Sequence, residues 1–102
     1  MQVVTEGHKY ALDNFEGEGQ QVIQFIEKVP VKLGEPELRT VNDGTTNEDV
    51  LRMLIDRMHS LQSKFPCREN ALVITKLEES LMWLEKRTAD RKARGVEGKQ
   101  VK

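Results

Sequence analysis

Phe65-Pro66-Cys67-Arg68-Glu69-Asn70 brings a ring, a guanidinium and a carboxamide together within six positions. These are groups that bind nucleotides. A purine stacks on an aromatic or Arg plane, and Asn reads an adenine edge through two hydrogen bonds. If Arg68 and Asn70 open a helix, its free N–H groups add a site for phosphate. The same residues also make an ordinary turn, with Phe65 as a plug, Pro66 at the first helical position and Asn70 as a polar seam residue fixing register. Spacing alone leaves both readings open. A second candidate is Arg87, Arg91 and Arg94, one ridge at helical spacing. It either complements a helix C-terminus or binds phosphate, which the guanidinium fork grips bidentately. Arg39, Lys28 and Lys32 are further cations without a pattern.

Catalytic chemistry finds little footing. Cys67 near a helix N-terminus favours thiolate, but no histidine stands within reach by sequence to form a nucleophile–base pair. A cysteine hydrolase would need that pair. Glu78 and Glu79 are adjacent on a solvated helix rather than opposed across a cleft. The chain has no Walker loop, no HExxH and no Cys/His cluster. The expectation is no enzyme, no cofactor and no metal.

The positioning elements follow from periodicity. Residues 1–44 read as a β-rich part, with strands expected at 8–12, 20–29 and 37–41 and a turn at 13–19. Two prolines and a glycine make 29–37 a loop or interrupted edge. Thr45-x-x-Glu48 is a capping box. Val50, Leu51, Leu54, Ile55, Met58 and Leu61 follow at helical spacing, and the pattern breaks at Lys64-Phe65-Pro66. Asn70, Ile74, Leu77, Leu81, Leu84 and Thr88 then step by four and three, a seam for antiparallel packing. Gly95 ends that helix. The expected architecture is α+β: a small N-terminal antiparallel β region, then a long helical hairpin (45–95, helices at 46–62 and 66–94) and a mobile tail (96–102), all in one domain. The second helix should overhang the first beyond Trp83, and the apolar residues there lie on more faces than one helix covers. Homo-oligomerisation is the expected remedy.

Composition limits the partners. The chain of 102 residues is 37% hydrophobic and 32% charged, with net charge −1. Residues 86–102 carry seven Lys/Arg against two acids, so the basic character is local. Bulk nucleic-acid binding is not expected. One cysteine excludes an intrachain disulfide. No apolar run approaches the ~20 residues of a membrane span, and no signal peptide is legible, so a soluble cytosolic protein is expected.

The stretch from Val41 to Lys99, with FPCREN and ITKLEESLMWL as its specific parts, resembles phage anti-Thoeris proteins of the first described type. These share a helical hairpin with phage anti-CBASS sponges. The likeness also extends, more loosely, through QQVIQFIEKVP and ELRTVNDG. It implies a non-enzymatic sponge acting in the cytoplasm of the infected bacterial host. Such proteins sequester glyco-cyclic ADP-ribose signals made by TIR enzymes. Some relatives also trap cyclic di- or trinucleotides at separate sites, and the assemblies are dimers or hexamers. Carried over position by position, the resemblance implies ligand contacts from Phe65, Asn70 and Arg87, with Arg39 as the nearest match to an arginine of the β region. Arg68 joins by its place in the motif and Arg91 by its place on the ridge. The competing expectation is a small oligomeric phage regulator that binds protein or nucleic acid through its basic C-terminal helix.

Overall fold

The computed structural model describes all 102 residues. Its elements are β1 (Gln2–Thr5), β2 (Lys9–Asp13), β3 (Gln20–Gln24), β4 (Glu27–Pro30), β5 (Leu38–Asn42), α1 (Asn47–Lys64) and α2 (Arg68–Ala93). Antiparallel strands precede a helical hairpin, the α+β order that the sequence predicts. The chain divides into two compact units, Met1–Thr46 with Gly98–Val101, and Asn47–Glu97 with Lys102.

In the first unit, β1, β2 and β3 form an antiparallel sheet in that order, and β4 pairs antiparallel with β5. Register is set across β2, where Tyr10 faces Ile23 and Ala11 faces Val22. β1 is an element that periodicity did not reveal, because QVVT offers only two apolar residues and they are adjacent. The single strand expected at 20–29 is two. Between them, Phe25 leaves the ladder to form a bridge with Thr45 and sets its ring edge-on to Tyr10, with centroids 5.9 Å apart. Thr45 receives the N–H of Ile26 at 2.9 Å and donates its own to Gln24 at 2.8 Å. Those bonds explain a second difference from expectation. With the backbone of Thr45 committed to the bridge, α1 begins at Asn47, one residue later than a capping box at Thr45 would start it. Gly44 permits the close approach, since a Cβ there would stand 2.3 Å from the carbonyl oxygen of Gln24.

Polar ties line one face of the sheet. The Gln20 amide donates to Gln2 at 3.1 Å and to Asp13 at 3.0 Å. With that bond first and the Met1 amine second, the Asp13 carboxyl is held below its ordinary pKa. The C-terminal segment, expected to be mobile, is tied in as well. Gln100 donates its N–H to the Pro36 carbonyl at 2.8 Å, and Lys99 bridges Glu37.

The second unit is the hairpin. At 1.5 Å per residue, α1 is about 27 Å long and α2 about 39 Å. Every seam residue expected on α2, from Asn70 through Thr88, is half-buried or buried, and Arg91 extends the same stripe. On α1 the facing stripe is Leu51, Ile55, Met58 and Gln62. Arg52 reaches across to Glu85 at 3.2 Å. The first helix therefore still flanks α2 at Glu85, and the overhang is shorter than a start at Trp83 implies. Gly95, in the left-handed region at φ 73°, closes α2, with the Val96 N–H donating to the Arg91 carbonyl at 3.0 Å.

Burial is sparse in both units. Ala11 (3% exposed) and Ile74 (7%) are the buried apolar residues. The chain of 11.7 kDa exposes 7970 Å². Two fully separate globules of half that mass would together expose about 7,100 Å².

The Gly44 contact yields a test. Gly44→Ala forces the backbone of Gln24 and Phe25 to move and should lower stability by roughly 1–3 kcal/mol in chemical denaturation. An unchanged midpoint would show that the Thr45 bridge is dispensable.

Candidate functional site

The bend between α1 and α2 is built by one side chain. Gln62, in the last turn of α1, donates its amide to the Cys67 carbonyl at 2.9 Å and accepts the Cys67 N–H at 3.0 Å. Both backbone groups of Cys67 are thus held by one carboxamide, as a neighbouring strand would hold them. Cys67 is extended (φ −151°, ψ 160°) and caps α2, its Sγ accepting the Asn70 N–H at 3.4 Å. The helix starts at Arg68, so Pro66 precedes the cap rather than occupying the first helical position. A residue before the cap needs no free N–H, so proline fits there equally well. Gln62 was missed as a bend residue in the sequence. Its position on the seam stripe, in the last turn before the break, was the available signal.

This clamp presents the rest of the motif outward. Phe65 is 81% exposed, so it is not a plug for the hairpin. Arg68 is exposed and Asn70 half-buried, both in the first turn of α2. Neither side chain forms a hydrogen bond or ion pair within the chain. The Asn70 carboxamide, beside the helix N-terminus, retains its full capacity to donate and accept. The thiol of Cys67 is occupied as a cap.

The arginine ridge of α2 separates into three roles. Arg94 pairs with Asp90 at 3.0 Å, one turn earlier. Arg91 is 5% exposed. Its Nε donates to Glu97 at 3.2 Å and its Nη2 to the Val96 carbonyl at 2.9 Å, locking the chain that leaves the helix. Arg87 is exposed and makes no ion pair. Arg39 lies exposed on β5, paired in register with Val29 and likewise without an ion pair. Arg57, on α1, shares that condition and was not singled out in the sequence. Asn70 and Arg87 lie 17 positions apart on the uninterrupted α2, so about 25 Å separates them.

On one side of the hairpin a groove of about 390 Å³ opens over Ile55, Leu81 and Met82. Its rim is charged, with Arg52, Asp56, His59 and Glu78 among the lining residues. No His, Cys, Asp and Glu side chains gather in groups of three that could hold a metal ion, and no helix is long and apolar enough to cross a membrane.

The different commitments of Arg87 and Arg91 predict opposite mutational behaviour. Arg91→Ala leaves Glu97 and the Val96 carbonyl without their buried donor and should destabilise the chain by roughly 2–3 kcal/mol. Arg87→Ala should stay within about 0.5 kcal/mol of the parent, as an exposed unpaired residue does. Thermal denaturation of the two variants checks the contrast, and equal losses would remove it.

Comparison with known proteins places the hairpin in context. The sequence model of the family described as "Acb2/Tad1, hairpin domain" matches residues 26–89, more than half of the chain. A curated protein of Bacillus phage SBSphiJ7, "Thoeris anti-defense 1", is 50% identical over 88 residues. That match covers 74% of this chain, which spans 62% of the length of the relative. The family-model match contains the whole of α1, the bend with Phe65 and Asn70, and α2 as far as Arg87. With the bend and the helical seam thus accounted for, the chain belongs to the Acb2/Tad1 hairpin-domain family.

Proposed function

We propose that this chain is a non-enzymatic sponge that binds glyco-cyclic ADP-ribose signals and so blocks Thoeris antiphage defence. The observation that carries the reading is the bend itself: an exposed ring at Phe65, with the unpaired Arg68 and Asn70 held beside it at a helix N-terminus. Phe65 supplies a stacking surface, Asn70 reads a base edge, and Arg68 and the helix N-terminus meet phosphate. Likeness to a protein named for Thoeris anti-defence supports the same reading.

Arg87 belongs to the pocket through assembly. About 25 Å along one helix is farther than a single cyclic mononucleotide-like ligand reaches. Asn70 and Arg87 on one ligand must therefore come from different chains, which makes self-association, to a dimer or a hexamer, a condition of binding. The surface supports this. The chain exposes about 900 Å² more than two separate globules of half its mass would, with Met53, Leu72, Met82 and Trp83 among the exposed apolar residues. Arg39 is a further contact suggested by the family likeness. Arg91, buried against Glu97, acts by holding the end of α2. Cyclic di- and trinucleotides are further candidate ligands at separate sites, which would extend the activity to CBASS defence.

Sequestration sets a demand on affinity. A signal acting at nanomolar concentration must be held with a comparable Kd, near −12 kcal/mol. A rigid, preorganised bend contributes by reducing the ordering cost on binding. The alternative, a regulator binding nucleic acid or protein through a basic α2 ridge, loses support because Arg91 and Arg94 are already paired within the chain.

Protein saturated with glyco-cyclic ADP-ribose should release it intact on heating, as read by mass spectrometry; hydrolysed product would indicate an enzyme instead. Separately, Asn70→Ala and Arg87→Ala should each lose binding, while mixed assemblies of the two should regain part of it. No recovery in hybrids whose mixing is verified by native mass spectrometry would sink the shared pocket.

A further inference from the structure

Trp83 is the one tryptophan of the chain, and it contributes little to the fold. Leu81 and Leu84 face the seam on either side of it. At 100° per residue, Trp83 lies about 130° around the helix from the midpoint of those two leucines, on the outer side of α2. It is 55% exposed. A large ring kept on the outer ridge of a helix has its use outside the hairpin, either in a dry interface or against a ligand.

Its neighbours discriminate between the two. The Lys86 ammonium stands 5.0 Å from the centre of the Trp83 ring. Arg87, four residues on and unpaired, is the next side chain along the same ridge. Lys76, two turns earlier, is a third cation, and Glu79 is the acid among them. Asp90, beyond Lys86 and Arg87 on the same ridge, is already paired with Arg94 at 3.0 Å. Closing an apolar interface over Trp83 would therefore desolvate Lys76, Lys86 and Arg87 with Glu79 as the one uncommitted acid beside them, which is unfavourable. A flat aromatic ligand that carries phosphate satisfies both requirements: its base covers the ring and its phosphates meet the cations.

We propose that Trp83 is a second stacking surface of the ligand pocket, contributed by the same chain that supplies Arg87. This rests on the shared pocket described above. A purine has two faces. Phe65 of one chain covers one, and Trp83 of another covers the second, with Lys86 and Arg87 on the adjoining phosphates. The arrangement fits a ligand that carries an aromatic base together with phosphate, rather than a sugar phosphate without a base.

Because Trp83 is alone, its emission reports on its own surroundings. The intact full-length chain is titrated with glyco-cyclic ADP-ribose while Trp83 fluorescence is followed, and equilibrium dialysis with mass-spectrometric detection measures binding independently. Expected are quenching that saturates with the dialysis isotherm, a loss of roughly ten- to hundredfold in affinity for Trp83→Leu, and recovery to within about fivefold for Trp83→Phe. Sedimentation should give both variants the same mass as the parent. Binding by dialysis without quenching, or Trp83→Leu binding like the parent, overturns the role of Trp83 and leaves the sponge reading intact. A change of assembly mass in Trp83→Leu also overturns it, by making Trp83 an interface anchor. No binding by dialysis in the parent defeats the sponge reading itself.

Discussion

Two antiparallel helices can bury only one stripe of each against the other, and that limit governs the helical unit. The stripe is well made. Leu51, Ile55 and Met58 meet Ile74, Leu77, Leu81 and Leu84, with Arg52 and Glu85 tied across it. Yet a two-helix contact has no third wall, so the seam residues stay partly wet, and Ile74 is the one apolar residue of the stripe that is buried. Leu54, Leu61, Leu72, Val73 and Met82 are left further out. Each apolar residue left in water forgoes the ~25 cal/mol per Å² that burial would return. The three-stranded sheet meets the same limit, since a small sheet with one exposed face has little stability of its own. The self-association proposed above would answer both, and it would also supply what a shared pocket requires.

The bend shows how a fold of this size obtains rigidity without a core. Gln62 replaces burial with two directed hydrogen bonds to one residue, and Cys67 adds a sulfur cap. Each such bond is modest in water. Their value lies in direction, because they leave the ring of Phe65 and the amide of Asn70 no role in holding the turn. Groups not needed for folding are free for a ligand.

The arginines of α2 carry the same lesson on charge. Three identical side chains at helical spacing come to three ends: a local pair at Arg94, a buried lock at Arg91 and a free guanidinium at Arg87. Spacing set them on one ridge. The path of the chain after Gly95, which turns Val96 and Glu97 back onto Arg91, sorted them.

Much of this was legible in the residues. The seam from Asn70 to Thr88, the stop at Gly95, the break before Pro66 and the α+β order all follow from local periodicity and from backbone preferences of Gly and Pro, which act over a few residues. The FPCREN motif and its family likeness were legible for the same reason. What required the tertiary structure were particular pairings, some distant and some across a turn: Phe25 with Thr45, which splits one expected strand into two and delays α1; Gln62 with Cys67; Arg91 with Glu97; and the tail with Pro36. Each joins groups whose local sequences do not call for one another. Hydrogen bonds and ion pairs are made wherever the fold brings partners together, whereas a hydrophobic period is written along the chain itself.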